Sequence, residues 1–362
     1  MDPVLGEKLE NDLWLYLSPV IFAFGLFGNI ILIVITSTRS RKGSDIVFFI
    51  RNVAVADLLV IVFGMPPAFL RAADIIDLEE INEWSCKFMK FFEYTFMDYA
   101  IWVLSAYSVE RGIAVCIPLK KRTICSIGRA RICIILLLVL AIAKNFHHFW
   151  TRGTEVEVVN GTEIVVSNCG YPTEADRHFT KFVRPWIVFV MSNVMPMFII
   201  VTSNCAVLYA LHKKKTLSYH GDDQSRSRST NHITIVCLSV SLAFVICIAP
   251  GIILYVGRPY WTEDETSQSN YVYTIFKGVN DMLIYINHSI NFYICILSSY
   301  NFRKLSYQVL CCTKEKTTIA NGTSRTTRTQ TFVGKALPRP KFTDLNSETQ
   351  NSDTQSEEVN HM

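Results

Sequence analysis

Apolar residues along the chain fall into seven long runs that are separated by short polar segments. The runs cover residues 13–37, 47–70, 86–116, 132–150, 182–211, 233–256 and 271–297. A helix of about 20 residues crosses a hydrocarbon core about 30 Å thick, so each run is long enough to span a membrane. Because a backbone in lipid must satisfy its hydrogen bonds within its own segment, the pattern predicts an all-α bundle of seven transmembrane helices.

Charge along the chain indicates how this bundle is oriented. Half of the 362 residues are hydrophobic and 18% are charged, which favours a membrane protein over a soluble one. Basic residues follow the first, third and fifth runs, including Arg39, Arg41, Lys120, Lys121 and Lys213, whereas acidic residues follow the second and sixth. The bias predicts an extracellular amino terminus and a cytoplasmic carboxyl terminus. The net charge of +4 is then explained by loops that face anionic lipid and a partner protein, and not by nucleic-acid binding.

The segment after the fourth run reads VVNGTEIVVSNC and is predicted to be an extracellular β-hairpin. Asn160-Gly161 favours a two-residue type I′ turn, which sets Val159 opposite Thr162. Asn160 is also the one sequon that this topology exposes to glycosylation. Cys169, at the end of the hairpin, shares the oxidising side with Cys86, so the two are predicted to form a disulfide. The hairpin is interpreted as a ligand-facing lid, the alternative being a glycosylated loop that only covers the bundle.

The chain after the seventh run contains two predicted segments. A short amphipathic helix, YNFRKLSYQVL, precedes the pair Cys311 and Cys312, which is a candidate palmitoylation site. Residues 313–362 are polar and predicted to be disordered. Their Ser and Thr residues are either a solvated tail or phosphoacceptors that recruit a regulator. The predicted organisation is therefore an extracellular segment at 1–12, a membrane domain at 13–312 and a cytoplasmic tail at 313–362.

Polar residues within the spans are candidates for function, because ionisable groups in a bilayer are costly. A central set faces the interior of the bundle, as either a plain hydrogen-bond network or an ion site: Asn29, Asp57, Asn287, His288 and Asn291. Toward the outer end, Glu93 and Asp98 on the third span and Asp281 on the seventh suggest a cavity suited to a cationic ligand group. The alternative is that Lys277 or Arg184 neutralises these acids.

The inner end of the third span carries the pair Glu110-Arg111. A buried Arg held by a weak local partner is easily transferred to another partner, which is a property that a conformational switch requires. Pro196 and Pro250 interrupt the hydrogen-bond ladders of the fifth and sixth spans and permit these helices to bend.

The chain resembles the rhodopsin-like (class A) G-protein-coupled receptors over about residues 13–312. The residues that carry the resemblance are Gly28-Asn29, Ala56-Asp57, Cys86, the stretch Glu110 to Leu119, Pro196, Phe244-x-x-Cys247-x-x-Pro250, Asn291 and Phe302-Arg303. Within that family, NHSINFYIC resembles invertebrate neuropeptide receptors of the FMRFamide and myoinhibitory-peptide type. Several positions depart from the family pattern: Gly112, Ile248 and Cys295 stand where Tyr, Trp and Tyr are usual, and His288 is an unusual neighbour for Asp57.

The resemblance implies roles for particular residues. Ligand contacts are expected at Glu93, Met97, Arg184, Lys277, Asp281 and Tyr285. The activation switch and the contact with a heterotrimeric G protein are expected at Glu110, Arg111, Pro118, Leu119, Phe244, Pro250 and Asn291. An allosteric sodium ion is implied beside Asp57, with no other cofactor. A receptor kinase and arrestin are implied as partners of the tail.

The resulting hypothesis is a plasma-membrane receptor, not an enzyme, for a basic, amidated extracellular neuropeptide. One alternative is a small-molecule or amine receptor, which Gly251 and Ile252 disfavour because amine receptors have paired aromatic residues there. A light sensor would need a lysine where Tyr285 stands. A transporter is disfavoured because the sequence shows no internal repeats.

Overall fold

The computed structural model describes residues 3–39, 45–217, 224–262 and 267–310. Seven long helical stretches within these residues match the seven apolar runs. The first comprises Pro3–Asp12, a π-helical turn at Leu13–Leu17, and Ser18–Arg39. The second is Asp45–Ala72, the third Glu83–Cys116 and the fourth Ile127–Asn145. The fifth is built of the helices Glu174–His178, Arg184–Val188 and Met195–Leu217 with the π-helical turns Phe179–Val183 and Phe189–Val194 between them. The sixth is Gln224–Thr262. The seventh is Ser267–Ser289 followed by Asn291–Ser298.

Short elements connect these spans. Helices Pro118–Ile124 and His148–Thr151 follow the third and fourth spans, and strands β1 (Gly153–Val159) and β2 (Thr162–Gly170) come next. The predicted juxtamembrane helix is present as Tyr300–Leu310. The candidate palmitoylation site Cys311-Cys312 and the tail at 313–362 lie outside the described residues, so both remain predictions.

Four helical segments of the described chain are by themselves long and apolar enough to cross a membrane. They are Gly6–Thr38, Ile46–Ala72, Glu174–Lys213 and Thr234–Leu254. The third and fourth spans carry more charged side chains, and the seventh is interrupted at Ile290. The charges on these more polar spans therefore need partners inside the bundle.

The third span occupies the centre of the bundle and packs against the second, fourth and fifth spans. It begins where the Asn82 side chain accepts a 2.9 Å hydrogen bond from the backbone N–H of Ser85. It ends before Pro118, which opens the next short helix. Side chains such as Val103 and Phe244 are completely buried at the centre of the hydrophobic core.

Backbone irregularities lie at two of the positions marked by sequence. The π-helical turn Phe189–Val194 ends two residues before Pro196, and such a turn locally widens the helix. The sixth span remains helical through Pro250. The seventh span, predicted as one helix, is broken at Ile290, immediately before Asn291.

The hairpin confirms the register predicted from its turn. Val159 pairs with Thr162, Val158 with Glu163 and Val156 with Val165. Asn160 and Gly161 have φ values of 53° and 80°, as a type I′ turn requires. Asn160 is exposed at the tip, where the glycan is predicted.

The base of the hairpin is fastened to the bundle by a disulfide and by hydrogen bonds. The predicted Cys86–Cys169 bridge is formed, with a Cα–Cα distance of 5.2 Å. The Glu80 carboxylate, in the loop before the third span, accepts bonds of 2.8 Å from the Ser167 hydroxyl and from the backbone N–H of Asn168. These contacts hold an element that would be marginal as an isolated hairpin. We refer below to this end of the bundle as the hairpin end and to the opposite end as the tail end.

Replacing either bridge cysteine with serine is expected to destabilise the protein by about 2–5 kcal/mol, since the bridge closes a long loop. Because each single change removes the same bond, the Cys86→Ser/Cys169→Ser double variant should be about as stable as either single variant. Thermal unfolding of the purified protein measures this effect, with Cys205→Ser, which removes an exposed free thiol, as the control. Full additivity of the two single changes would contradict the bridge.

Candidate functional site: a cavity at the hairpin end

A cavity of about 370 Å³ lies among the spans at the hairpin end. It is bordered by the first, second, third, fifth, sixth and seventh spans. All six residues for which ligand contact was predicted line it: Glu93, Met97, Arg184, Lys277, Asp281 and Tyr285. The structure therefore brings the set together, and its contact with a ligand remains a prediction.

The acids of this cavity are paired with lysines, which corrects the prediction of an open acidic pocket. The Lys90 ammonium lies 2.7 Å from the Glu79 carboxylate and 3.4 Å from that of Glu93. Lys277 lies 3.6 Å from Asp281 and 2.5 Å from Glu10. Partly buried carboxylates need such partners, because desolvation without compensation is costly. The alternative of internal neutralisation is thus correct for Lys277, and Lys90, which the sequence analysis did not name, contacts Glu93.

Asp98 does not face the cavity, contrary to the sequence-based expectation. It is buried, and both of its carboxylate oxygens lie 2.8 Å from the Lys144 ammonium of the fourth span. Asn145 and Ser192 donate further hydrogen bonds of 2.6 and 2.5 Å. Asp98 therefore joins the third, fourth and fifth spans to one another and has a structural role.

Arg184 stacks on an aromatic residue at the edge of the cavity. Its guanidinium lies 4.2 Å from the centre of the Tyr94 ring, a cation–π distance. The other partner of Tyr94 is His148, whose ring is stacked at 5.1 Å. His148 lies beyond the end of the fourth span, and burial together with the nearby Arg184 lowers the pKa of its imidazole. A neutral imidazole can remain next to the guanidinium without charge repulsion.

Several lining residues were missed by the sequence analysis, notably Lys90, Glu79, Tyr94 and Trp14. Trp14 meets Tyr285 edge to face, with ring centroids 5.6 Å apart. Lys90 lies three residues before Glu93 and so one turn away on the same helical face, a spacing that could have indicated the pair. Trp14 gave no such signal, because its place beside Tyr285 depends on how the first and seventh spans pack.

The interpretation of the hairpin as a ligand-facing lid is not supported by the cavity. None of the residues that line it belongs to the strands at 153–170. The valines of both strands, including Val158 and Val165, are exposed. The disulfide and Glu80 hold the base of the hairpin, and the residues at its tip are exposed.

The polar set at the centre of the bundle meets around Asp57. His288 Nδ1 and Asn291 Nδ2 lie 2.7 and 2.6 Å from its two carboxylate oxygens. Asn29 donates a 2.9 Å hydrogen bond to the backbone carbonyl of His288. Asn287 is also buried in the seventh span. The Asp57 carboxylate therefore connects the second and seventh spans, and the first span is joined to the seventh through the backbone carbonyl of His288.

The Glu110–Arg111 pair lies toward the tail end of the third span, 25 residues after Cys86 and therefore roughly 37 Å along the helix. Arg111 Nε is 3.4 Å from a Glu110 oxygen, and both side chains are almost fully buried. Lys121 approaches the other Glu110 oxygen at 3.7 Å. The local pair predicted from sequence is therefore present, and Glu110 shares its charge between two cations.

The remaining residues of the predicted switch differ in exposure. Leu119, just after Pro118, is 93% exposed at the tail end. Phe244 is completely buried and Pro250 is half-buried in the sixth span. Leu119 is thus accessible to a partner, while Phe244 belongs to the packed core.

Comparisons with known proteins agree with this arrangement. The family model "7 transmembrane receptor (rhodopsin family)" matches residues 28–294. The chain is 23% identical over 330 residues to the FMRFamide receptor of Drosophila melanogaster, covering 84% of this chain and 56% of that receptor. It is 25% identical over 313 residues to galanin receptor type 1 of Homo sapiens, covering 86% of this chain and 85% of that receptor. It is 26% identical over 304 residues to growth hormone secretagogue receptor type 1 of Mus musculus, covering 80% of this chain and 78% of that receptor.

The fold and the cavity thus define a multi-pass membrane receptor and not an enzyme. The chain belongs to the rhodopsin family of seven-transmembrane receptors. The more specific resemblance to FMRFamide and other neuropeptide receptors is confirmed at modest identity.

Loss of the Lys90 ion pairs is expected to destabilise the protein more than loss of the Lys277 ion pairs. Lys90→Met removes a cation from two partly buried carboxylates, of which Glu79 keeps only Arg71 at 3.8 Å, and should cost about 1–3 kcal/mol. Lys277→Met, the matched control, should cost less than about 1 kcal/mol, because the Lys277 side chain is 47% exposed and its pairs are screened by solvent. Thermal unfolding of the purified variants compares the two. Equal losses would contradict the assignment of Lys90 as the main counter-charge of the cavity.

Proposed function

We propose that this receptor binds an extracellular peptide in the hairpin-end cavity and activates a heterotrimeric G protein at the tail end. The observation that carries the proposal is the cavity itself, in which residues of six spans surround a space of about 370 Å³. A ligand that contacts several spans at once has different contacts in each packing of the helices, and this difference shifts the equilibrium between them. The relatives named as receptors for FMRFamide and galanin support a peptide as the ligand.

The proposed ligand is a basic peptide with an amidated end. The four lining cations, Arg71, Lys90, Arg184 and Lys277, are balanced by four acids: Glu79, Glu93 and Asp281 of the lining, and Glu10, which pairs with Lys277. An amide carries no charge and therefore disturbs this balance least. A basic side chain of the peptide would bind at Asp281 by displacing Lys277. That exchange is cheap because the Lys277 side chain is half-exposed and its pairs with Glu10 and Asp281 are screened.

The tail end supports the proposed contact with a G protein. Arg111 is held by Glu110 at 3.4 Å, and Glu110 is also approached by Lys121. Because Lys121 already serves Glu110, release of Arg111 would not leave that buried carboxylate without a cation. Arg111 can then move toward a partner that docks beside Pro118 and Leu119. This arrangement requires a plasma-membrane receptor with the hairpin end outside the cell.

Further partners belong to the same proposal. A second cavity of about 340 Å³ lies between the third and fourth spans, and its largely apolar lining includes Ala106, Val109 and Leu137. Apolar walls at membrane depth suit a lipid chain.

A receptor kinase and arrestin are proposed to act on the tail, which Cys311 and Cys312 would anchor through palmitate.

An amine receptor is the second candidate, and the charge pairs of the cavity weigh against it. Amine receptors are expected to hold the ammonium group with an acid of the third span, whereas the exchangeable Asp281 lies on the seventh. Glu93, the candidate acid on the third span, is already engaged by Lys90. Asp98 is buried against Lys144.

Cells that express the receptor are expected to respond to amidated peptides with a change in calcium or cAMP. The panel should pair each amidated peptide with its free-acid form and include biogenic amines. The free acids should be at least about 10-fold less potent, because a carboxylate adds an unpaired charge to a balanced cavity. Responses to amines alone would contradict the peptide proposal.

Arg111→Ala should abolish G-protein activation while surface expression and peptide binding persist. Arg131→Ala, the matched control, removes an exposed cation of the fourth span and leaves Glu110 with both Arg111 and Lys121, so it should retain signalling. Ligand-stimulated nucleotide exchange on the G protein, measured at equal surface expression, distinguishes the two variants. Normal exchange by Arg111→Ala would refute the role of this residue.

A further inference from the structure

The central carboxylate of the bundle is bonded on both of its oxygens by nitrogen donors of the seventh span. Asp57 is 2% exposed. His288 Nδ1 lies 2.7 Å from Oδ1, and Asn291 Nδ2 lies 2.6 Å from Oδ2. Because the Asp57 oxygen can only accept when the carboxyl is ionised, the ring nitrogen that faces it is the donor.

The residues around Asp57 fit a sodium ion poorly. A hard cation such as sodium binds oxygen ligands. The group placed against Oδ1 is an imidazole, which has two nitrogens and no oxygen in any orientation. Its N–H is directed to the lone pairs that a cation would need. Asn29 donates through its NH₂ group to the backbone carbonyls of Gly25 and His288, which leaves its Oδ1, like the Oδ1 of Asn291, buried without a hydrogen-bond partner. These two neutral amide oxygens are fewer than the roughly six oxygen ligands that hard cations take.

We propose that His288 replaces the sodium ion that the family resemblance implies beside Asp57. The imidazole N–H and the Asn291 amide satisfy the buried carboxylate, so the chain itself supplies what a bound cation would otherwise contribute. The proposal differs from the sodium site that the family resemblance implies. The inference concerns only residues of this chain and does not depend on the identity of the ligand or of the G protein.

The replacement changes how the spans are connected. His288 and Asn291 lie on either side of the break at Ile290 and both reach the second span through Asp57. A mobile ion can leave or enter as the helices move, whereas a side chain donor remains attached to the seventh span. Movement of that span away from Asp57 must therefore break the hydrogen bond itself.

The test is thermal unfolding of the purified full-length receptor in lipid nanodiscs, in sodium chloride or in choline chloride at equal ionic strength. The wild type is expected to unfold at the same temperature in both salts. His288→Ser, which offers an oxygen in place of the ring, should be less stable in choline and gain a few degrees in sodium. His288→Ser combined with Asp57→Asn should lose that gain. His178→Ser, at an exposed position, is the matched control and should behave as the wild type.

Two results would overturn the proposal. One is a wild type that unfolds at a higher temperature in sodium chloride than in choline chloride, together with an Asp57→Asn variant that shows no such difference. The other is a folded His288→Ser variant that responds to sodium no more than the wild type does. Sodium-23 NMR line widths of the wild type and Asp57→Asn give a second measurement, which needs no His288 variant. Equal widths are expected, and broadening by the wild type alone would overturn the inference.

Discussion

Charges inside a membrane bundle must be paired, and this constraint organises the receptor from one end to the other. The lysines of the cavity serve its acids, Asp98 holds the fourth span through Lys144, and Glu110 holds Arg111. Each pair compensates a desolvation cost that is several kcal/mol for a fully buried ion. The seven helices can therefore adopt only arrangements in which these partners meet. A ligand or a G protein acts by offering one member of a pair another partner.

The pairs differ in how tightly they are held, and the difference follows their proposed roles. Asp98 has four bonding contacts and is buried, so it is suited to holding the third, fourth and fifth spans together. Lys277 is half-exposed and can exchange partners at low cost, whereas Arg111 is buried and is held by Glu110 at 3.4 Å, so it exchanges only when a docked partner offers it another acceptor. Rigid connections in the middle of the bundle and labile ones at its two ends allow a signal to pass without unfolding the helices.

The features that depend on local sequence pattern were predicted correctly from the sequence. Seven apolar runs specified the spans, and Asn160-Gly161 specified the turn and register of the hairpin. Prediction from the sequence failed where a partner comes from another span. Lys144 lies 46 residues from Asp98, and no periodicity connects them. His288 could be recognised as unusual beside Asp57, but only the packing of the second span on the seventh shows that its Nδ1 faces Oδ1.

The central claim is that a ligand bound at the hairpin end changes the packing of the third and sixth spans at the tail end. Electron-spin distance measurement tests it with labels on Cys116 and on Ile235→Cys, both exposed positions, after the other reactive cysteines are replaced. With G protein present, a saturating active peptide should shift the distance distribution to longer values. An unchanged distribution, while the same peptide stimulates nucleotide exchange, would contradict the account.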